Sequence, residues 1–282
     1  MVNIKIGGVP EHFNLPWLRL AESGALDDLG VSWCDVPEGS GAMAAALRAG
    51  ELDAAMLLTE GAVAGAAQGG FKIVSLYTAS PLIWGIHVPA GSDFQRVEDV
   101  RGRRYAISRR GSGSHLMSFV HAREQGWPTA DLDFVVIGTL QGAIDAFANG
   151  QADVFFWEKF MTKPLVDSGR FRRVGEFVAP WPAFVVCASN AALERRKPIG
   201  AALSRALDAA TELASSPDAA AVIARRYGLE VGDAREWLAS TRWAPSPMLR
   251  IEHLAPAVAQ LAALGLIGAD VAPLGLTSAL VA

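Results

Sequence analysis

Two stretches of the chain carry the same pattern of small, apolar and polar positions. Residues 41–61 read GAMAAALRAGELDAAMLLTEG, and residues 142–159 read GAIDAFANGQADVFFWEK. Each opens with Gly-Ala and a run with apolar residues at i, i+3 and i+4, the spacing of one helix face. Gly50 and Gly150 stop the helices, as residues that readily adopt the left-handed conformation past a helix end. Asp53 and Asp153 follow three residues later. A short apolar run, AAMLL or VFF, then predicts a buried strand, ending in a polar pair: Thr59-Glu60 in one copy, Glu158-Lys159 in the other. Helix, Gly turn, buried strand and exposed polar tip, written twice, predict two similar α/β lobes, with Glu60 and Glu158 as an equivalent pair. Two copies are too few for a solenoid.

The rest of the chain fits around these copies. Val2–Gly8 predicts a strand and Val9–Asn14 the loop at its carboxyl end. Leu15–Leu26 has helical spacing, with Pro16 acceptable in a first turn. Residues 31–36 (VSWCDV) predict a second strand, and Ser40 an N-cap for the repeat helix. A small-residue helix and the strand FKIVSLYT complete a β-α-β-α-β-α-β order, which points to a parallel sheet. From SPLIWGIHVPA onward the chain crosses into a second lobe. Its predicted elements are the strand Arg104–Ser108, a Gly/Ser loop at 111–115, the helix Leu116–Gln125, the strand Asp133–Ile137 and the second repeat copy. Phe171–Val178 and Phe184–Ser189 predict two further strands, the latter returning to the first lobe. Four helical patterns follow Asn190. The domain organisation read from this order is 1–87 with 184–282 as lobe 1 and its helical layer, and 88–183 as an inserted lobe 2.

Composition narrows the function classes. The chain has 282 residues and a formal net charge of −4, which gives no electrostatic reason to expect nucleic acid or an anionic membrane as partner. No run reaches the apolar length of a membrane span. The two cysteines, Cys34 and Cys187, lie in apolar strand-like runs and are expected as buried free thiols. The N-terminal residues carry no signal-peptide pattern, so the sequence as written reads as cytoplasmic, or periplasmic if a leader has been removed. The five histidines show no metal-ligand spacing, so no metal and no cofactor is expected. Neither a Walker loop, nor G-x-G-x-x-G, nor a G-x-S-x-G elbow is present.

Ligands of open α/β sheets bind beyond the carboxyl ends of the strands, where helix N-termini offer free N–H groups. That rule selects His12, Phe13, Asn14, Ser40, Gly41, Thr59, Glu60, Ser80 and Trp84 from the first half of the chain. From the second it selects Arg109, Ser112, Gly113, Ser114, His115, Thr139, Trp157, Glu158 and Lys159. The GSGSH run at 111–115 is either an oxygen-binding backbone cradle or an ordinary N-cap loop. Glu60 and Glu158 are suited to accept hydrogen bonds from ligand N–H groups, or else are solvated strand ends.

The repeated Gly-x-x-Asp strand entry, the SPLIWGIHV crossover, the SxxGSGSH loop and the segment EDVRGRRYAIS together resemble the type II periplasmic-binding-protein fold. More narrowly, the chain resembles the nitrate/sulfonate/taurine-type substrate-binding proteins of ABC transporters, a superfamily that also includes thiamine-pyrimidine synthases. The Cys-rich motif of those synthases is missing here. The resemblance implies a two-lobed α/β protein that closes an interlobe cleft over a small organic solute by hinge motion. It also implies an ABC-type transporter permease as partner and, as ligand contacts, residues 12–14, Ser40, Thr59, Glu60, the 108–115 loop and residues 157–159. The alternative is a cytosolic enzyme or ligand sensor on the same fold, with His12 or His115 and Glu60 or Glu158 as acid/base groups.

Overall fold

The computed structural model describes residues 3–280. Val2, with which the first expected strand opens, lies outside the described residues, as do Met1, Val281 and Ala282. The chain divides into unit 1, Met1–Pro81 with Pro180–Ala282, and unit 2, Leu82–Ala179. These divisions fall at 81/82 and 179/180, where the sequence pattern had suggested 87/88 and 183/184.

Unit 1 begins β1 (Ile4–Gly8), α1 (Leu15–Glu22), β2 (Val31–Asp35), α2 (Ser40–Ala49), β3 (Ala54–Leu58), α3 (Thr59–Ala67). β1 runs parallel to β2 on one side and to β3 on the other. The chain enters unit 2 along β4 (Phe71–Pro89). Unit 2 continues β5 (Arg104–Ile107), α4 (Gly113–Glu124), β6 (Asp133–Val136), α5 (Leu140–Ala148), β7 (Val154–Glu158), α6 (Lys163–Asp167). Here β5 runs parallel to both β6 and β7. The order of parallel strands is therefore the same in both units, β2-β1-β3 and β6-β5-β7. The chain returns to unit 1 along β8 (Phe171–Ser189) and ends with α7 (Arg196–Ser215), α8 (Ala219–Tyr227), α9 (Val231–Ser240) and α10 (Ala255–Ala263).

The repeat is a repeat of bonding as well as of pattern. Gly50 and Gly150 close their helices at φ 74° and 62°, where a Cβ would be strained. The Asp53 carboxylate accepts the backbone N–H of Lys5 at 2.9 Å, and Asp153 accepts that of Arg104 at 3.1 Å. Each Asp thereby fastens the start of the repeat strand to the central strand beside it. Arg195 pairs with Asp53 and Arg104 with Asp153.

Apolar alternation fails in β3 because both faces of the strand are covered. Ala54, Ala55, Met56 and Leu57 have no exposed surface. In unit 2, Phe147, Phe155 and Phe171 close on one another around Ala143 and Ala146. Burial of each of these phenylalanines stabilises unit 2 by roughly 1.5–3 kcal/mol.

Several expectations need correction. The sheets are mixed rather than parallel: β8 is antiparallel to β3, with Ala54 opposite Ala188, and β4 is antiparallel to β7, with Trp84 opposite Glu158. Residues 71–89 and 171–189 are each one long strand, not a strand plus a crossover. Each strand runs on through its prolines and passes from one unit to the next near Pro81 and Pro180. Thr59 and Glu60 open α3 rather than ending β3. Counted from Gly50 and Gly150, Glu60 corresponds to Phe160, so Glu60 and Glu158 are not equivalent positions. Ser40 lies inside α2, whose N-cap is Gly39, and the Ser40 hydroxyl instead accepts the Leu58 N–H at 2.9 Å. The polar tips are not exposed either: Thr59, Glu60 and Glu158 are all buried. Cys187 is a buried thiol, whereas Cys34 is only partly covered.

Candidate functional site

In unit 1 the segments leaving the carboxyl ends of β1 and β3 lie side by side, because those strands are neighbours. His12 is wholly buried and stacks on Trp237 with ring centroids 4.3 Å apart and planes 8° from parallel. The Phe13 carbonyl accepts from the Tyr77 hydroxyl at 2.9 Å and from Trp243 Nε1 at 3.0 Å. These contacts fix the loop after β1 against β4 and the C-terminal segments. Asn14 Nδ2 donates to the Val9 carbonyl at 2.8 Å, which sets the amide orientation and leaves Oδ1 buried without a protein partner. Gly8 makes room for this arrangement: a Cβ there would meet Asn14 Nδ2 at 2.8 Å and the Trp33 ring at 2.3 Å.

At the other strand end, the Thr59 hydroxyl donates to the Pro182 carbonyl. Glu60 Oε2 accepts Trp181 Nε1–H at 2.8 Å, while Oε1 is buried without a partner. Burial raises the Glu60 carboxyl to about 7, against the smaller opposing effects of its own backbone N–H and of Trp181. Ser80 accepts the Arg242 N–H at 3.0 Å, and Gly41 sits half-buried at the start of α2.

In unit 2 the loop after β5 is built by its serines. The Ser112 hydroxyl caps α4 through the His115 N–H and lies 3.1 Å from Ser114 Oγ. Ser114 Oγ accepts the Ser108 N–H at 3.3 Å. Gly113 is the first residue of α4, three positions earlier than the apolar pattern suggested. His115 Nδ1 accepts the Gly111 N–H at 3.1 Å, so the neutral ring carries its proton on Nε2, which is buried and has no partner. Burial, reinforced by the Arg110 charge, lowers His115 to about 4. Arg109 lies in this loop two residues after β5. Thr139 caps α5 through the Gly142 N–H and is exposed.

At the end of β7, Glu158 Oε2 accepts the N–H groups of Phe160 and Met161 at 2.8 and 2.7 Å. That pair of bonds is why a carboxylate is tolerated under cover. Trp157 stacks on Phe155 at 5.1 Å, on the apolar cluster, and Trp84 is buried opposite Glu158. Lys159 Nζ pairs with Glu176 at 3.1 Å, and the Lys159 carbonyl accepts Arg173 Nη2 at 2.6 Å. Behind them His87 bonds the Phe155 carbonyl through Nδ1 at 3.2 Å and Thr162 through Nε2 at 2.9 Å. Burial and the nearby Arg173 charge hold His87 down at about 3, so it is a neutral strut.

The structure thus gathers His12, Phe13, Asn14, Ser40, Thr59 and Glu60 in unit 1. It gathers Arg109, Ser112, Gly113, Ser114 and His115 around one loop of unit 2, and Glu158 and Lys159 at a second strand end. The sequence pattern does not select Trp181, Trp237 or His87 as site residues. Trp237 reaches His12 from more than 200 residues away, and no local pattern announces that. Trp181 carried a weak signal, standing beside proline at a chain crossing.

No curated protein sequence matches the chain. The family model of the Ca3427-like PBP matches residues 84–177. The Candida albicans CA3427 gene product, described as exhibiting the generic periplasmic binding protein structural fold, superposes with a TM-score of 0.85 at 26% identity. That match covers 95% of this chain and 92% of the other. The chain belongs to the type II periplasmic-binding-protein superfamily. Within this superfamily it also shares its fold with the alkanesulfonate-binding protein SsuA of Xanthomonas axonopodis pv. citri bound to MOPS. That TM-score is 0.80 at 18% identity, with 99% of both chains covered. The aliphatic sulphonate binding protein SsuA of Escherichia coli matches with a TM-score of 0.74 at 18% identity, covering 98% of this chain and 92% of that one. Identities this low carry the fold and not the ligand. Among the described residues, no helix is long and apolar enough to cross a membrane.

Proposed function

We propose that this protein binds a small organic solute without transforming it, as the substrate-binding component of an ABC-type transporter. The strand-end groups of both units take part in holding the solute, and closure of the units over it is the working motion. The observation that carries this reading is the set of buried polar atoms left open at the strand ends: Asn14 Oδ1 and Glu60 Oε1 in unit 1, His115 Nε2 in unit 2. A buried polar atom without a partner costs about 1–3 kcal/mol, and a ligand that satisfies it recovers that cost. Ser112, Gly113 and Ser114 at the α4 N-terminus add the end of the helix dipole. The likeness to sulfonate-binding proteins supports transport as the setting. A thermal-shift screen of small metabolites, with each hit assayed for turnover by mass spectrometry, tests this reading. Saturable one-site stabilisation with the compound recovered unchanged is expected. Conversion of the stabilising compound would contradict it.

A further inference from the structure

Unit 1 holds two acceptor oxygens, each aimed by a bond on its own partner atom. Glu60 is 1% exposed; Trp181 Nε1–H occupies Oε2 and leaves Oε1 open. Asn14 is 2% exposed; its Nδ2 is spent on the Val9 carbonyl, and Oδ1 is left open. The amide cannot turn round to offer its N–H groups without losing that bond. Both oxygens therefore accept, and neither donates when Glu60 is ionised. The two residues follow β1 and β3, which are adjacent and parallel. Among the described residues, no arginine or lysine forms an ion pair with Glu60.

A carboxylate and an amide oxygen form the wrong lining for a bare anion, because one repels it and the other offers it no proton. They are suited to a group with several N–H donors and a positive charge. Resting on the solute-binding reading above, we infer that the solute carries an amine, and that its protonated nitrogen is held by Glu60 Oε1 and Asn14 Oδ1. Glu60 is then a specificity-determining residue. It selects amine-bearing solutes over their deaminated counterparts by a charge-assisted hydrogen bond made under cover. Burial leaves Glu60 easily protonated in the empty protein, and a bound ammonium group replaces that proton as the counter-charge.

The test uses solute pairs that match in acid group and differ in the amine: taurine with ethanesulfonate, β-alanine with propionate, phenylalanine with 3-phenylpropionate. Melting temperature and calorimetric Kd are measured for the full chain at pH 8. The amine-bearing member of at least one pair is expected to bind at least tenfold more tightly than its partner. Glu60→Gln is expected to weaken that binding roughly ten- to hundredfold and to abolish the preference for the amine-bearing member. Asn14→Ala is expected to weaken the amine-bearing member in the same sense, and serves if Glu60→Gln fails to fold. Equal or tighter binding of the deaminated members, retained in Glu60→Gln, would overturn this inference while leaving solute binding intact. No binding by either member of any pair would overturn the inference together with the reading beneath it.

Discussion

A single carboxyl illustrates how much one buried residue decides. Glu60 has no exposed surface to speak of, and burial raises it from 4.5 to about 7. Between those values the unfolded chain has lost the proton while the folded chain keeps it, so the folded state loses stability as pH rises from about 4.5 to about 7. Above that window the loss is complete, on the order of 3 kcal/mol for a shift of this size. Glu60→Gln removes the titration and keeps the Trp181 bond through its amide oxygen. Its melting temperature should exceed that of the parent at pH 8, with the gap narrowing towards pH 4.5. A gap that is constant with pH would show that Glu60 is not the group responsible. The sequence marked Glu60 for attention but misjudged its setting, because a Glu two residues after an apolar strand looks solvated until Trp181 is brought over it. His12 is the parallel case. Its position after a strand was legible, whereas its stack on Trp237 depends on α9, far along the chain.

At the scale of elements, the repeat was the most legible feature and remains the most informative. Gly50 and Gly150 fix helix ends by their backbone, which local chemistry predicts, whereas Asp53 and Asp153 fix strand starts by the same kind of bond to a neighbouring strand, which the repeated pattern marks but does not explain. Asp53→Ala and Asp153→Ala should each destabilise the protein by about 1–2 kcal/mol, measured by urea denaturation with an unchanged slope. An effect at only one position would show that the two Asp bonds are not equivalent in energy. Long-range pairing was less legible. The antiparallel placement of β8 beside β3 and of β4 beside β7 arises from strands that pass between units. An apolar run of that length reads equally well as two separate strands. The α4 helix was misplaced at its start because its buried face carries Ser114, His115, Ser118 and His121. Polar side chains of that kind are buried where hydrogen bonds or ring contacts absorb them, and apolar periodicity does not register them.

For the molecule as a whole, two units with the same strand order each present a loop-and-helix N-terminus after their central strand. In unit 1 that position carries His12–Asn14, and in unit 2 it carries Arg109–His115. The proposed solute-binding function would give both sets of groups a common purpose. Hydrogen–deuterium exchange, run with and without a solute that stabilises the protein, tests this most directly. Added protection is expected in both units at once, over residues 9–14 and 59–61 in one and 108–115 and 158–161 in the other. Protection confined to one unit, or to the C-terminal helices, would contradict it.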